Sequence, residues 1–462
     1  MDACTAAVWA RRHFAKAELG DERRTRRLVR VATAFATGAG GDAGGTITSV
    51  IRDRHQAKAA YRLLDQEEVT HAAVISGHTT GVLEATAAPA DYLLIEDTMA
   101  VGYPSLTATT GLGPIGEDFT RGLWVHSTLV LKMDWAKNEA QPLGLLGQRV
   151  WARPPEEPKS RGRGKKKDRA SRERKAKESE RWMTALEASG GAMAGTTWTY
   201  VADRESDIYG LYQCAFVNGW SFVVRAAQPR ALGGPWKGQN LLTAAAEAPV
   251  RGRVEVELTR ESRTAVMQVR SSGLLLRGPH RPGGRLADHQ LNVVRVRELN
   301  PPSGREPVTW VLVTDLPVDT LEQCQRVIAI YRWRWLIEEL HKAIKTGMKV
   351  EASQLSTARR IAALIGVLSV VAVSLLEHKL AARTDPQAPL QPDQADATLV
   401  AVLKKVDPPQ GRPTRRWFWL AIAKLGGFQA RPSDGDPGWL TLWRGWQTLM
   451  LLARGYDLAN SS

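Results

Sequence analysis

The sequence predicts an α/β protein that has a β-rich insertion and helical segments at both ends. Between about residues 73 and 225, apolar runs typical of strands alternate with helical stretches. Polar and apolar residues then alternate up to about residue 310, with Gly- and Pro-rich turns between the runs. With 462 residues, the chain is long enough for two or three domains.

The first segment, residues 1–72, is predicted to be helical and basic. Four arginines recur at i, i+3, i+4 and i+7 and form a cationic stripe on one helix face: Arg23, Arg26, Arg27 and Arg30. Such a stripe suits the phosphate backbone of a nucleic acid, and a plainly solvated helix face is the alternative.

Two apolar runs in the core segment, residues 73–380, end in acidic residues. The run Tyr92–Thr98 delivers Asp97, and Trp198–Glu205 delivers Asp203. Buried strands that end in acids place carboxylates at the edge of a sheet, although a single such acid is more often a cap or a surface charge. Further strands are predicted near residues 126–133 and 143–151.

Two segments interrupt this core. Residues 159–177 are dense in Lys and Arg and almost free of apolar residues, which predicts a flexible basic loop that either holds DNA or is simply solvated. Residues 226–308 are predicted to be an all-β insertion. Trp310 follows it in the apolar run Val308–Thr314, where a core strand aromatic is the plain interpretation.

A helix predicted over residues 331–345 carries one chemical face. Tyr331, Arg334, Glu338 and Lys345 are spaced Y-(2)-R-(3)-E-(6)-K. At helical periodicity they share a polar arc with two further residues, while apolar residues fill the neighbouring arc. One carboxylate among several donors and cations suits a place where metal ions and phosphates meet. A wet amphipathic helix is the alternative, and Asp319 is the predicted N-cap.

The last segment, residues 381–462, is predicted to be helical. Its tryptophans indicate either core packing or, as we favour, a dimer surface: Trp417, Trp419, Trp439, Trp443 and Trp446. The apolar run Ile361–Leu376 precedes this segment. It is too short for a bilayer span and is interpreted as a core helix.

Composition favours a polyanionic partner and a reducing compartment. The net charge is +15 and the sequence pI is about 9.9. Three cysteines without a CxxC pair indicate neither a disulfide framework nor a structural zinc site. No apolar signal segment is expected, so the predicted location is the cytoplasm, with no membrane as partner.

These motifs together resemble the bacterial cut-and-paste DDE transposases, specifically the insertion-sequence group with the Y-R-E-K helix, and most of all its tagmentation-type enzymes. The matching motifs occur in the family's order between Leu19 and Trp446: Ile95–Thr98, Asp203–Glu205, Asn300–Trp310 and Tyr331–Gly347. The resemblance implies an RNase H-like catalytic core with an inserted β-subdomain. It also implies an N-terminal domain that binds DNA ends and a C-terminal domain that forms a homodimer.

The resemblance also assigns roles to residues. Asp97, Asp203 and Glu338 would be the catalytic acids and would bind two Mg²⁺ ions per active site, with Mn²⁺ able to substitute. Residues implied to hold the DNA end are Tyr331, Arg334, Lys345 and Trp310, with Arg225, Lys342 and Trp335 as weaker candidates. The arginine stripe is assigned to end recognition.

The implied reaction nicks the transposon end, forms and opens a DNA hairpin, and transfers the end into target DNA. Two other functions stay open from the sequence: a catalytically silent DNA-binding transposition inhibitor, and a simple RNase H-like nuclease.

Overall fold

The structure is a computed structural model that divides into two units. It describes residues 3–37, 46–116, 120–154, 190–258, 263–281, 283–384, 386–390, 395, 397–431 and 434–460. The first unit comprises Met1–Thr86, Thr98–Ser160 and Ile337–Ser462, and the second comprises Ala87–Asp97 and Arg161–Leu336. The predicted basic loop 159–177 lies outside the described residues.

The helices and strands of the described residues are numbered along the chain. The helices are α1 Ala3–Phe14, α2 Glu22–Thr37, α3 Ile47–Val50, α4 Arg54–Asp65, α5 His71–Ala85, α6 Tyr209–Asn218, α7 Leu241–Glu247, α8 Leu321–Trp333, α9 Trp335–Lys342, α10 Ala358–Thr384, α11 Ala397–Val406, α12 Arg415–Leu425 and α13 Trp439–Asn460. The strands are β1 Asp91–Gly102, β2 Gly113–Pro114, β3 Arg121–Asp134, β4 Glu139–Trp151, β5 Thr197–Ala202, β6 Ser221–Arg225, β7 Val250–Leu258, β8 Arg263–Leu276, β9 His280–Arg281, β10 Gly284–Arg285, β11 His289–Glu298 and β12 Thr309–Thr314.

The second unit is built on a mixed sheet. The first part of β1 pairs in parallel with β5, and β5 pairs in parallel with β6. Antiparallel partners continue the sheet in the order β6, β12, β11, β8 and β7. Glu96 lies opposite Ala202 in the last matched pair of β1 and β5, so Asp97 and Asp203 directly follow this pair on the two neighbouring strands. The end of β5 just before Asp203 confirms one of the two predicted strand ends. The prediction that a strand ends at Asp97 is wrong, because β1 continues through Asp97 to Gly102.

The region 226–308 is not all-β. It contains α7, which begins after Asn240 and packs on β8 and β11. Asn240 accepts hydrogen bonds from the backbone N–H groups of Leu242 and Thr243, so this helix has its own N-cap. The prediction of an uninterrupted β pattern is wrong here because Leu241–Glu247 is too short for its periodicity to stand out.

In the first unit, β3 pairs antiparallel with β2 and β4, and α5 and α10 pack on β4. The segment Ala358–Leu380 of α10 is long and apolar enough to cross a membrane by length and composition, but 78% of its most apolar stretch is buried inside the protein. This burial confirms the core-helix interpretation of Ile361–Leu376 and provides the apolar centre of the unit.

Four C-terminal tryptophans are packed inside the first unit. Trp419, Trp439, Trp443 and Trp446 are each buried. Trp417 is half-buried, and its indole N–H donates to the Asp407 carbonyl at 2.8 Å. The interpretation of the four buried tryptophans as a dimer surface is therefore wrong, while homodimerisation itself stays a prediction.

Helix α8, which carries Tyr331, is capped by a different residue from the one predicted. Thr320 accepts from the backbone N–H of Gln323 at 3.2 Å, and Gln323 accepts in return from the N–H of Thr320. Asp319 only contributes its N–H, which donates to Gln323. This reciprocal pair is a capping box, and it fixes where α8 begins.

Candidate active site

Asp203 is the centre of a polar cluster in the second unit. It follows β5 and begins a short 3-10 turn, Arg204–Ser206. The Tyr331 hydroxyl donates to its Oδ1 at 3.1 Å. The guanidinium groups of Arg225 and Arg334 lie 3.8 Å from Oδ1 and 3.7 Å from Oδ2. Three residues distant in sequence therefore converge on one carboxylate.

The Asp203 carboxylate is held in its ionised form. Partial burial acts to raise the pKa of this carboxyl, but the Arg334 charge, a backbone hydrogen bond, Arg225 and the Tyr331 hydroxyl together bring the pKa below its usual value. An ionised carboxylate that is 34% exposed offers hard oxygen ligands to a cation that enters from solvent.

The polar face of the Y-R-E-K helix is packed rather than wet in the second unit. Tyr331 and Arg334 are buried, and the Tyr331 ring meets Trp310 edge-on with the ring centroids 5.4 Å apart. Burial raises the pKa of the Tyr331 hydroxyl, so it stays a proton donor. Trp310 itself is half-buried on β12, which leaves part of its ring open to solvent.

Arg225, at the end of β6, is positioned by its neighbours. Its Nη2 donates to the Thr309 carbonyl at 3.0 Å. The segment that follows is fastened by Asp207, which the sequence analysis missed. Its carboxylate accepts from the backbone N–H groups of residues 227 and 228 at 2.7 Å, from Tyr212 at 2.8 Å and from Arg230 at 2.7 Å. The spacing Asp203-x-x-x-Asp207 is the only signal in the sequence for this anchor.

Asp97 stands one residue after a buried acid. Glu96 is buried, whereas Asp97 is half-buried, as expected for side chains that point to opposite faces of a strand. Burial and the Glu96 charge raise the pKa of Tyr200 on the neighbouring strand β5. The strand pairing therefore places Asp97 and Asp203 next to each other where the pairing of β1 with β5 ends, and Glu96 is a further, buried acid beside them.

Glu338 and Lys345 belong to the first unit. The acid next to Glu338 anchors helix α9. Glu338 is half-buried on α9. Glu339 beside it is buried and accepts from Lys379 at 2.7 Å, from the Trp439 indole at 3.1 Å and from Lys342 at 3.4 Å. The bonds from Lys379 and Trp439 tie α9, which carries Glu338, to α10 and α13, whereas the bond from Lys342 lies within α9.

The other predicted residues near α9 lie on more exposed positions. Lys345 lies in a π-helical turn, Ala343–Gly347, 4.0 Å from Glu351. The Lys342 side chain is largely exposed, and Trp335 is half-buried at the start of α9. The predicted helix 331–345 is thus formed by α8, α9 and this turn, with a break at Arg334.

The donor chemistry of Asp97 and Asp203 fits a hard divalent cation, because both offer carboxylate oxygens at neighbouring positions of two paired strands. Within the residues that the structure describes, no three His, Cys, Asp or Glu side chains form a preassembled metal-binding group. The two aspartates are therefore a pair of potential ligands to which a further ligand would have to be added.

The predicted arginine stripe is exposed on α2. Arg23, Arg26, Arg27 and Arg30 all face solvent, and Arg26 has an exposed ion pair with Glu22 at 3.5 Å.

Two residues from the C-terminal half hold the N-terminal helices. Arg359 donates to the backbone carbonyls of Asp65, the last residue of α4, and of Gln66 and Val69 just after it. The Trp446 indole donates to the carbonyl of Ala36 near the end of α2 at 3.2 Å. The N-terminal helices are thus bonded to α10 and α13 within the first unit.

Residues 6–69 match a family model described as transposase DNA-binding. The matched segment covers most of α1 and all of α2, α3 and α4, including the arginine stripe. The match supports a transposase role and DNA as the partner.

Proposed function

We propose that this protein is a bacterial DDE transposase that moves DNA by cut-and-paste chemistry in the cytoplasm. The observation that carries the proposal is the cluster around Asp203. Two guanidinium groups and a phenol converge on the Asp203 carboxylate, and the pairing of β1 with β5 places Asp97 beside it. The match of residues 6–69 to a transposase DNA-binding model gives the chain its substrate, DNA.

The same donors that hold Asp203 suit a DNA phosphate. Arg225, Arg334 and the Tyr331 hydroxyl lie 3.1–3.8 Å from carboxylate oxygens, and guanidinium groups pair with phosphate as they do with carboxylate. When DNA binds, its phosphate would compete with Asp203 for these donors. That exchange would release the carboxylate toward a cation and hold the scissile region beside it.

Asp97 and Asp203, with Glu338 as the third ligand, would hold Mg²⁺ or Mn²⁺, two ions per active site. Ions at such a site lower the pKa of an attacking water or 3′-hydroxyl and stabilise the leaving oxygen. Oxygen ligands without Cys favour these metals over zinc.

The remaining residues would position DNA. Arg23, Arg26, Arg27 and Arg30 would lie along the backbone of the transposon end. Lys345 would contact phosphates with Tyr331 and Arg334, and Lys342, Trp335 and Arg225 would lie nearby. Hairpin formation at the end requires a base to leave the stack, and the half-buried ring of Trp310 would stack on it.

Two further parts of the proposal concern architecture. The parallel strands β1, β5 and β6 beside antiparallel partners are compatible with an RNase H-like core that has an inserted β-subdomain. A homodimer would pair two transposon ends in a synaptic complex before strand transfer into target DNA.

The test uses the full-length protein with DNA that carries the ends of its own element, in Mg²⁺ or EDTA, and resolves the products on denaturing gels. We expect metal-dependent nicks and hairpins at the element boundary. Asp97→Asn, Asp203→Asn and Glu338→Gln should abolish them and still bind the ends, because only ligand charge is removed.

Asp91→Asn is the matched control. Asp91 begins the same strand as Asp97, and its carboxylate pairs with Arg326 at 3.2 Å instead. This variant should cut like the parent. End binding without any cleavage by the parent would indicate a regulatory inhibitor, and cutting that ignores the ends would indicate a simple nuclease.

A further inference from the structure

The antiparallel part of the second unit has a face that is rich in arginine. Arg295 on β11 lies directly opposite Arg270 on β8. One step along, Arg297 lies opposite Gln268, which in turn lies opposite Arg253 on β7. Residues directly opposite in register point to the same side of a sheet, so the four arginines share one face.

This arginine face is the reverse side of the surface that bears Trp310. Val296 pairs with Trp310 on one side and with Val269 on the other, and both valines are buried. Since side chains alternate along a strand, Arg295 and Arg297 point away from Trp310 and from the cluster around Asp203. The active-site residues therefore leave this face unused.

The charges on the arginine face lack acidic partners. Arg253 and Arg297 are exposed, and Arg270 and Arg295 are half-buried. Within the described part of the chain, none of the four forms an ion pair. The acids of β7, Glu255 and Glu257, share the face but lie further along the strand toward the β7–β8 hairpin.

An arginine pair in direct opposition acts against folding. Like charges directly across two strands are destabilising. The pKa of Arg295 is lowered, first by burial and then by the charges of Arg297 and Arg270. The contribution from the two neighbouring charges has the same origin as the repulsion between the opposed arginines. Arg270 is also held in place, because its guanidinium donates to Gln268 at 3.1 Å and to the Ala248 carbonyl at 2.8 Å. An anion at this face would remove the repulsion.

The dimensions and chemistry of the face fit a DNA backbone. Three strands spaced by about 4.8 Å make the cluster roughly 10 Å wide, which corresponds to about three steps of one DNA strand at about 3.4 Å each. Guanidinium groups form charge-assisted hydrogen bonds with phosphate oxygens, which receive a large share of the protein hydrogen bonds to DNA.

We propose that the arginine face binds the phosphates of a target DNA duplex without reading its sequence. The inference rests on the proposed transposase function, which requires a second duplex of arbitrary sequence in addition to the transposon end. A transposon end must be recognised by its sequence, whereas a backbone-only surface suits the target.

The first test compares Arg295→Gln/Arg297→Gln with Arg277→Gln/Arg281→Gln in the full-length protein. The control removes two exposed arginines from the same unit outside the face. Binding to a random-sequence duplex is measured at several salt concentrations. Loss of two phosphate contacts should reduce the magnitude of the slope of log affinity against log salt by about 1.8. When salt is raised from about 50 to about 200 mM, the factor by which affinity falls should therefore be roughly 12-fold smaller for the variant than for the parent. The control should keep the slope of the parent.

The second test separates target binding from end binding. With pre-cleaved ends, strand transfer into random-sequence DNA should fall in Arg295→Gln/Arg297→Gln, while cleavage of intact ends should match the parent. An equal fall in cleavage would place the element's own DNA on the face and overturn the inference. A salt slope equal to that of the control would overturn it too, as would a changed oligomeric mass with an unchanged slope, which would indicate a protein partner.

A single variant provides a second test of the arginine face that does not depend on the folding of the double variant. Arg297→Gln alone removes an exposed side chain and should reduce the slope by about 0.9, so a misfolded double variant would not leave the inference untested. If the parent failed to cut its ends but the slopes changed as expected, the proposed function would fail and the face would stand as a DNA-binding surface.

Discussion

Lys379→Met should strongly destabilise the first unit, because it would leave Glu339 as a buried carboxylate without its closest cation. Both side chains are buried, and the Lys379 ammonium lies 2.7 Å from Glu339 Oε2. After the substitution, the Trp439 indole and the exposed Lys342 are the remaining donors among the contacts described above. Removal of one member of a buried ion pair costs about 3–5 kcal/mol of unfolding free energy.

The effect of pH on Lys379→Met has a defined sign. Burial acts to raise the pKa of Glu339, but Lys379 and then Lys342 hold it below its usual value. In the parent, the stability contributed by Glu339 is therefore present above the carboxyl pKa of the unfolded chain, and it is lost as pH falls through the lower pKa of the folded state. Without Lys379 the carboxyl protonates at higher pH, so the deficit of the variant should shrink as the solution becomes acidic.

The assay is urea denaturation of the full chain at pH 7 and at about pH 4.5, near the usual pKa of a Glu side chain. Lys342→Met is the matched control, since Lys342 contacts the same carboxylate with a side chain that is 51% exposed. It should lose no more than about 1 kcal/mol. Glu339→Gln/Lys379→Met should recover part of the loss, because no unpaired buried charge remains. A Lys379→Met variant as stable as Lys342→Met would refute the reasoning.

Three further predictions follow from the pKa shifts and from the aromatic contact. Burial acts to raise the pKa of Asp203, and among the groups that lower this pKa the Arg334 charge has the largest effect. Arg334→Gln should therefore move the acidic limb of the cleavage pH profile to higher pH. An acidic limb at the parental pH would contradict this prediction. Trp310→Ala should slow hairpin formation relative to nicking by roughly 5- to 150-fold, from the usual stacking energy of a base on an aromatic ring. Trp310→Phe should retain most of the parental rate of hairpin formation. If the alanine variant formed hairpins at the parental rate, Trp310 would not stack on the base. Burial lowers the pKa of His13 to about 4 and that of His78 to about 3, each with a further contribution from a neighbouring charge. Only the unfolded chain takes up these protons near the usual pKa of histidine, so the melting temperature of the parent should fall between pH 7 and pH 5. The melting temperature of His13→Asn should fall by less over the same range. An identical fall in both proteins would contradict the lowered pKa of His13.

The sequence predicted those features of the site that depend on local pattern. The apolar run that ends at Asp203 identified the end of β5, and the run that ends at Asp97 identified a strand but not its end, because β1 continues to Gly102. Parallel pairing places the two acids side by side. Helical spacing identified Tyr331 and Arg334 as members of one face. Periodicity reports which residues share a face but not what covers it, so the burial of Tyr331 against Trp310 was visible only in the fold.

The features that the sequence did not predict depend on long-range contacts. Asp207 acts through backbone groups after β6, about twenty positions away in the chain. Glu339 is adjacent to the predicted Glu338, yet its role appears only when Lys379 and Trp439 are placed around it. Thr320 replaced Asp319 as the cap because the reciprocal Gln323 bond decides between two neighbouring candidates.

The bonds that Arg359 and Trp446 make to the N-terminal helices determine whether the N-terminal segment can be separated from this protein or exchanged with that of another. The stretch that matches a DNA-binding family is not a free-standing module in this chain, since carbonyl groups after α4 and near the end of α2 take their donors from residues about 290 and 410 positions away. A fragment that ends near residue 72 would expose these carbonyls to water and lose the side chains that orient the arginine stripe. An exchange of this segment between homologous proteins would therefore need matching surfaces on α10 and α13, so a new DNA-binding specificity would have to evolve together with the far end of the polypeptide.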